Sequence, residues 1–131
     1  RQVLESKLNQ KNELKIWLAQ YMTESKYEDL HQPLEDTLEW SDISALFEDA
    51  QLLTQNETSR WAYFLQDERI HLFVNGKQQT LTQTEKTQKL ASQLANQRHT
   101  NTRDLRDLIL DTDCQNLLLD LINENHLYFE D

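Results

Sequence analysis

A chain of 131 residues suits one domain, or one domain with an appendage. Apolar residues make up 37% of it, enough for a modest core, while a net charge of −10 and a pI near 4.7 set the chain as a whole against nucleic acid and anionic membrane as partners. No apolar run approaches the roughly 18 residues of a membrane span, and a single cysteine excludes an internal disulfide, so a soluble cytoplasmic protein is the default.

The chain opens without Met, inside a segment of helical composition, "RQVLESKLNQ", which reads as the interior of a longer protein rather than as a leader. Val3, Leu4 and Leu8 lie on one side of it. In "NELKIWLAQYMTES" the residues Leu14, Trp17, Leu18 and Tyr21 recur at intervals of three, one and three, so they share one helical stripe, which Met22 widens. The two segments are either separate helices broken near Asn9 to Asn12 or one continuous helix. "KYEDLHQPLEDTLE" has no clear period and holds the only proline, Pro33; it reads as a linker.

"WSDISALFEDA" is helical, with Ser41 as N-cap, Asp42 at the positive helix end and Ile43, Leu46 and Phe47 facing inward. "RWAYFLQDERIHLFVNGKQQTL" alternates as strands do: Trp61, Tyr63 and Leu65 against Ala62 and Phe64, then Ile70, Leu72 and Val74 against His71 and Phe73. Turns at Asp67-Glu68 and Asn75-Gly76 give two or three short antiparallel strands. Gly76, the only glycine, suits the positive φ of a type I′ hairpin turn.

Helix then resumes. "TQTEKTQKLASQLANQ" carries a capping box, with Thr82 as N-cap and Glu85 at N3, and turns Leu90, Ala91, Leu94 and Thr87 inward. "NTRDLRDLIL" is a short helix with Leu105, Leu108 and Ile109. Asp111 or Thr112 caps "DCQNLLLDLINEN", whose Leu117, Leu118, Leu121 and Ile122 face the core along with Cys114, and Asn125 ends it in the left-handed region. "HLYFED" returns as a last strand. The class is therefore mainly α with a small antiparallel β-sheet (α+β). Three helices packed with a hairpin sheet make a winged-helix-like domain, in which the hairpin covers one face of the helical core.

Little in this pattern has the form of a reaction centre. None of the four histidines, in "HQP", "HLF", "HTN" and "HLY", has a carboxylate two residues on or a partner at metal-ligand spacing. Asp111 and Asp113 form a carboxylate pair of the kind that more often caps a helix than transfers protons. One glycine leaves no phosphate loop. The helix over 112–123, in the place of a recognition helix, has no Lys or Arg. From Asp104 to Asp131 eight carboxylates stand against Arg106, which opposes duplex binding; Lys77 and Arg69 make the hairpin only weakly basic.

The succession "WSDISALFEDAQLL…RWAYFLQDERIHLFVNGKQQTL", two helices and the ending "LLLDLINENHLYFED" resembles the C-terminal part of bacterial ribosomal oxygenases, and "NELKIWLAQYMTESKY" is similar to the helix before it. These are cupin, JmjC-type Fe(II)/2-oxoglutarate hydroxylases acting on an arginine of a ribosomal protein. The resemblance spans essentially the whole chain, but its motifs are not catalytic ones. The family's His-x-Asp/Glu pair and cupin strands are absent, so catalytic, cofactor-binding and metal residues are expected to number none. Asn125 stands where the family leads one to expect glycine.

The resemblance implies that residues 1–27 are part of a helical dimerisation region, 28–38 a linker and 39–131 a winged-helix-like C-terminal domain. It implies a homodimer through the N-terminal helices, with Leu14, Trp17, Leu18, Tyr21 and Met22 as the interface. Fe(II), 2-oxoglutarate and a ribosomal protein substrate belong to the parent enzyme, and this chain is expected to bind neither cofactor. The competing expectation is a stand-alone acidic protein–protein adaptor.

Overall fold

A computed structural model describes residues 14–23, 32–49 and 52–130. The sequence readings that fall on residues 1–13, including the helix break near Asn9 to Asn12, lie outside these. Helix α1 covers residues 14–23. Helix α2 (Trp40–Asp49) is followed by β1 (Leu52–Gln55), then β2 (Trp61–Gln66), β3 (Arg69–Val74), β4 (Lys77–Thr82), α3 (Glu85–Asn96) and β5 (His99–Asn101). Two 3-10 turns, Thr102–Leu105 and Leu108–Leu110, lead into α4 (Thr112–Asn123), and β6 (Leu127–Glu130) comes last.

The strands form two antiparallel three-stranded sheets. One is the sequential meander β2-β3-β4; the other, in order β5-β1-β6, joins strands far apart in the chain. In the meander, Trp61 pairs with Val74 and Val74 with Lys77, so Asn75 and Gly76 form a two-residue turn, at φ 51° and 81°. The β2–β3 turn has the same handedness, with Asp67 and Glu68 at φ 55° and 60°. It does without glycine; Asp67 is of a type that tolerates this region better than most, and Glu68 holds it without that advantage.

The period-two pattern of the meander gives it two different faces. Trp61, Tyr63, Leu72, Val74 and Leu81 point to the core built by α2, α3 and α4, which buries Ile43, Phe47, Leu90, Leu94, Leu117, Leu118 and Leu121. Phe64, His71 and Phe73 occupy the opposite face. Phe64 stacks on both rings, at centroid distances of 4.9 and 5.8 Å.

Several boundaries move from where the sequence pattern puts them. Helix α2 begins at Trp40, one residue before Ser41, and the carboxylate of Asp42 accepts from the Glu39 N–H at 3.0 Å in place of a serine cap. The capping box of α3 uses Thr84 and Thr87, not Thr82 and Glu85. Thr82 is the last residue of β4, and the buried Thr87 hydroxyl accepts from Thr84 N while donating to the Thr82 carbonyl. The short helix over "NTRDLRDLIL" is instead two 3-10 turns separated at Arg106 and Asp107, and the first is capped by the Asn101 side chain. Asp111, rather than Thr112, caps α4. At its other end, Asn125 at φ 62° lets its own N–H reach Ile122 O and the His126 N–H reach Leu121 O. These are the paired bonds of a Schellman motif.

The stretch expected as a linker is pinned where it is described. Leu34 N donates to Asn123 O, the Asn123 side chain bonds both the N–H and the carbonyl of Leu38, and Leu34 and Leu38 pack on the core.

Candidate functional site

Thr54, fully buried on β1, lies between its register partners His99 and Tyr128. Its hydroxyl is 2.9 Å from His99 Nδ1 and donates to Glu130 Oε2 at 3.0 Å. Histidine and carboxylate thus converge on the hydroxyl instead of acting in series, which is the geometry of a cross-strand polar ladder and not of an activated nucleophile. Burial, then its hydrogen bond to Glu130, pushes the Tyr128 hydroxyl upward from its ordinary pKa.

His126 is buried, meets Ser59 Oγ at 2.8 Å through Nδ1 and lies edge-on to Trp61, tying the β1–β2 connection to the end of α4. His71 sits half-buried on the outer face of the meander, on Phe64, with Gln78 at 3.0 Å. His31 lies outside the described residues.

Asp111 is spent on capping, through its bond to Cys114 N, while Asp113 is exposed. Cys114 is fully buried. Burial first, and then Asp111, push its thiol up to about 12, the opposite of what a nucleophile needs. Among the described residues no three His, Cys, Asp or Glu side chains come together as a metal site.

The residues that do form a coherent surface are on α1. This helix crosses the outer face of the wing, the β2–β4 meander. Its Ala19 and Thr23 are buried, and Lys15 Nζ stands over the Phe64 ring at 6.0 Å. Thr23 Oγ1 donates to Ala19 O at 2.8 Å within the helix and accepts from Gly76 N at 2.9 Å. In a two-residue turn the N–H of the second turn residue takes no part in the strand ladder, so the Asn-Gly tip has a spare donor, and α1 uses it. Asn75 is held as well, its Oδ1 accepting from Arg60 N at 2.7 Å.

With Ala19 and Thr23 turned to the sheet, the stripe read from the sequence faces the other way. Leu14, Trp17, Leu18, Tyr21 and Met22 are all exposed, from 46% at Leu18 to 63% at Tyr21. Trp17 and Tyr21, one turn apart, stack at 5.5 Å with their planes 10° from parallel. Periodicity finds this stripe. It does not find the anchoring face, because an alanine and a threonine are small and carry little apolar signal.

A helical core with an antiparallel hairpin sheet laid against it defines the winged-helix class. Within that class, the sequence matches the ROXA-like winged-helix family over residues 6–128, and the chain belongs to that family. No curated protein matches the sequence. Among solved structures it is similar to YcfD, a ribosomal oxygenase from Escherichia coli, with TM-score 0.74 and 18% identity over 100% of this chain and 34% of that one. The same protein in complex with cobalt and 2-oxoglutarate matches with TM-score 0.72, again at 18% identity and over the same shares. A third structure, with cobalt and succinic acid, matches with TM-score 0.75, identity and coverage being unchanged. The chain therefore spans about a third of the length of these structures. At this identity the likeness is one of fold. Among the described residues no His, Cys, Asp or Glu set comes together that would fit the metal of those structures.

Proposed function

We propose that this chain is the noncatalytic C-terminal part of a ribosomal-oxygenase-like Fe(II)/2-oxoglutarate protein hydroxylase. Its role in that enzyme is assembly: the α1 stripe pairs with the same stripe of a second copy, and the winged-helix unit behind it supports the cupin domain of the parent. The parent modifies a ribosomal protein side chain, in the cytoplasm, with both cofactors held outside this chain.

The observation that carries the reading is the two-sided use of α1. A helix that anchors one face on its own domain and leaves five large apolar side chains exposed on the other presents a patch of the kind that marks an interface. Burying such side chains is worth about 1.5–3 kcal/mol each. The anchoring bonds hold the stripe in place before a partner arrives, which lowers the ordering cost of association.

Light scattering over a concentration series tests it. Mass should rise from 15.7 kDa toward twice that value. The double variant Trp17→Ala/Leu18→Ala should stay monomeric with its circular dichroism and melting cooperativity intact. A wild-type chain that remains monomeric at high concentration contradicts the assembly role. Calorimetric titration with Mn(II) and 2-oxoglutarate is expected to show no stoichiometric site, and tight one-to-one binding would place the cofactors here after all.

A further inference from the structure

The chain holds two sulfur atoms, one in Cys114 and one in Met22, its only methionine. The fold treats them oppositely. Cys114 is enclosed in the core, where burial and the Asp111 carboxylate hold its thiol protonated and so withhold the thiolate, the form that reacts with peroxides. Met22 lies in the last turn of α1, on the outward stripe, and is 61% exposed. A thioether has no proton to lose, so its oxidation is governed by access. The accessible oxidisable sulfur of this chain is therefore on the one surface read as an interface.

The surroundings of Met22 leave it nowhere to retreat. Leu18 is one helical turn before it, and Tyr21, its neighbour in sequence, is stacked on Trp17. The next residue, Thr23, is buried and accepts from the Gly76 N–H, and Ala19 is buried on the same side. With that face of α1 fixed to the wing, the helix cannot rotate to carry Met22 away from the stripe. Any polar group added to its sulfur stays among the exposed apolar side chains.

We infer that Met22 is a reversible oxidation site through which peroxides control self-association by the α1 stripe, an inference that rests on the assembly role proposed above. The thioether sulfur attacks one oxygen of hydrogen peroxide; the O–O bond breaks, an S–O bond forms and the second oxygen leaves as water. The sulfur loses two electrons to the peroxide and becomes a sulfoxide, polar and chiral where the side chain was apolar. That oxygen has to shed its water when two stripes meet, and a pairing of like stripes carries two of them. The coupling runs both ways: pairing covers the sulfur and slows its oxidation, and oxidation disfavours pairing by the same free energy. Unpaired chains are oxidised first and then stay unpaired, until a methionine sulfoxide reductase returns the thioether.

The test treats the full chain with dilute hydrogen peroxide at neutral pH, and follows it by peptide mass mapping and by light scattering over a concentration series. One oxygen should be gained, at Met22, with Cys114 unmodified, and the rate should fall as the protein concentration is raised through the range of association. The dissociation constant of the oxidised chain should rise roughly tenfold or more, as expected for burying a poorly paired polar atom, with circular dichroism unchanged. Methionine sulfoxide reductases acting on both epimers should restore it. Met22→Leu, whatever its own affinity, should give the same dissociation constant before and after peroxide. An oxidised chain that pairs as tightly as the untreated one overturns the inference. So does a peroxide-induced loss of pairing that persists in Met22→Leu, or a rate of Met22 oxidation indifferent to concentration. An untreated chain that is monomeric throughout is a different result: it removes the assembly role itself, and this inference with it.

Discussion

At the residue scale the clearest electrostatic fact is the Cys114 thiol, raised from about 9 to about 12 by burial and by the neighbouring Asp111. The shift disfavours the thiolate in the folded state. Below pH 9 the thiol is protonated whether the chain is folded or not, and it contributes nothing to pH dependence. Between about 9 and 12 the unfolded chain loses the proton while the folded one keeps it, so stability falls as pH rises through that window. Denaturant midpoints for wild type and Cys114→Ala should converge, or cross, as the pH is taken from 8 to 10.5; a constant gap between them would show that the thiol titrates alike in both states. A thiol reagent at pH 8 should leave Cys114 unmodified in the native protein and label it in denaturant. The position was legible as core in the sequence because "DCQNLLLDLI" places Cys114 three residues before Leu117, on one helix face. Burial alone sets the direction of its shift, and Asp111, one of the two caps the sequence allows for this helix, adds to it.

At the scale of the element, the wing was the most readable part. Alternation and the Asn-Gly dipeptide predict two or three strands and a left-handed turn; the wing has three, and Gly76 sits at φ 81° in such a turn. Valine there is strained by its branched side chain, so Gly76→Val should lower stability by about 1 kcal/mol or more, read from the urea midpoint. Coincident melts would contradict that assignment. The second sheet was not readable in full. Strand β1 is four residues long and β5 three, too short for alternation to register, and "HTN" has no apolar residue at all. Their pairing is long-range, Leu53 with Thr100 and with Phe129, so no local turn announces it. The two 3-10 turns look like one helix in the sequence because Leu105, Leu108 and Ile109 keep helical spacing through the break at Arg106 and Asp107. The site divides in the same way. The exposed stripe of α1 is a periodic pattern; its anchor, Thr23 on Gly76, joins residues 53 apart in the chain.

For the molecule as a whole, a winged-helix frame is combined with a charge distribution that does not suit a duplex. The outer face of α4 carries Asp113 and Asp120 and no cation. A winged helix that binds DNA places Lys and Arg against phosphates, with an affinity that falls steeply as salt rises. Anisotropy with a random duplex at physiological salt should therefore show no submicromolar, salt-sensitive binding, and finding it would mean that the basic stretch from Arg60 to Arg103 gathers into a patch of its own.

The bond between Thr23 and the wing tip also bears on how this protein ages. Asn-Gly is the sequence at which a backbone nitrogen most readily attacks the preceding side-chain amide, because glycine leaves the approach open. The ring closes to a succinimide, ammonia leaves, and water opens the ring to aspartate or isoaspartate. Here the attacking group is engaged elsewhere: the Gly76 N–H, which must give up its proton to attack, is held by Thr23, while the Asn75 side-chain amide oxygen accepts from the Arg60 N–H and fixes the side chain in place. The helix seated on the wing thus acts as a chemical preservative for the turn beneath it. Thr23→Val removes the acceptor at nearly constant volume and should speed the conversion of Asn75 to its acids during incubation at mildly alkaline pH, followed by peptide mass mapping. Equal rates in the two proteins would assign the protection to the turn's backbone geometry alone.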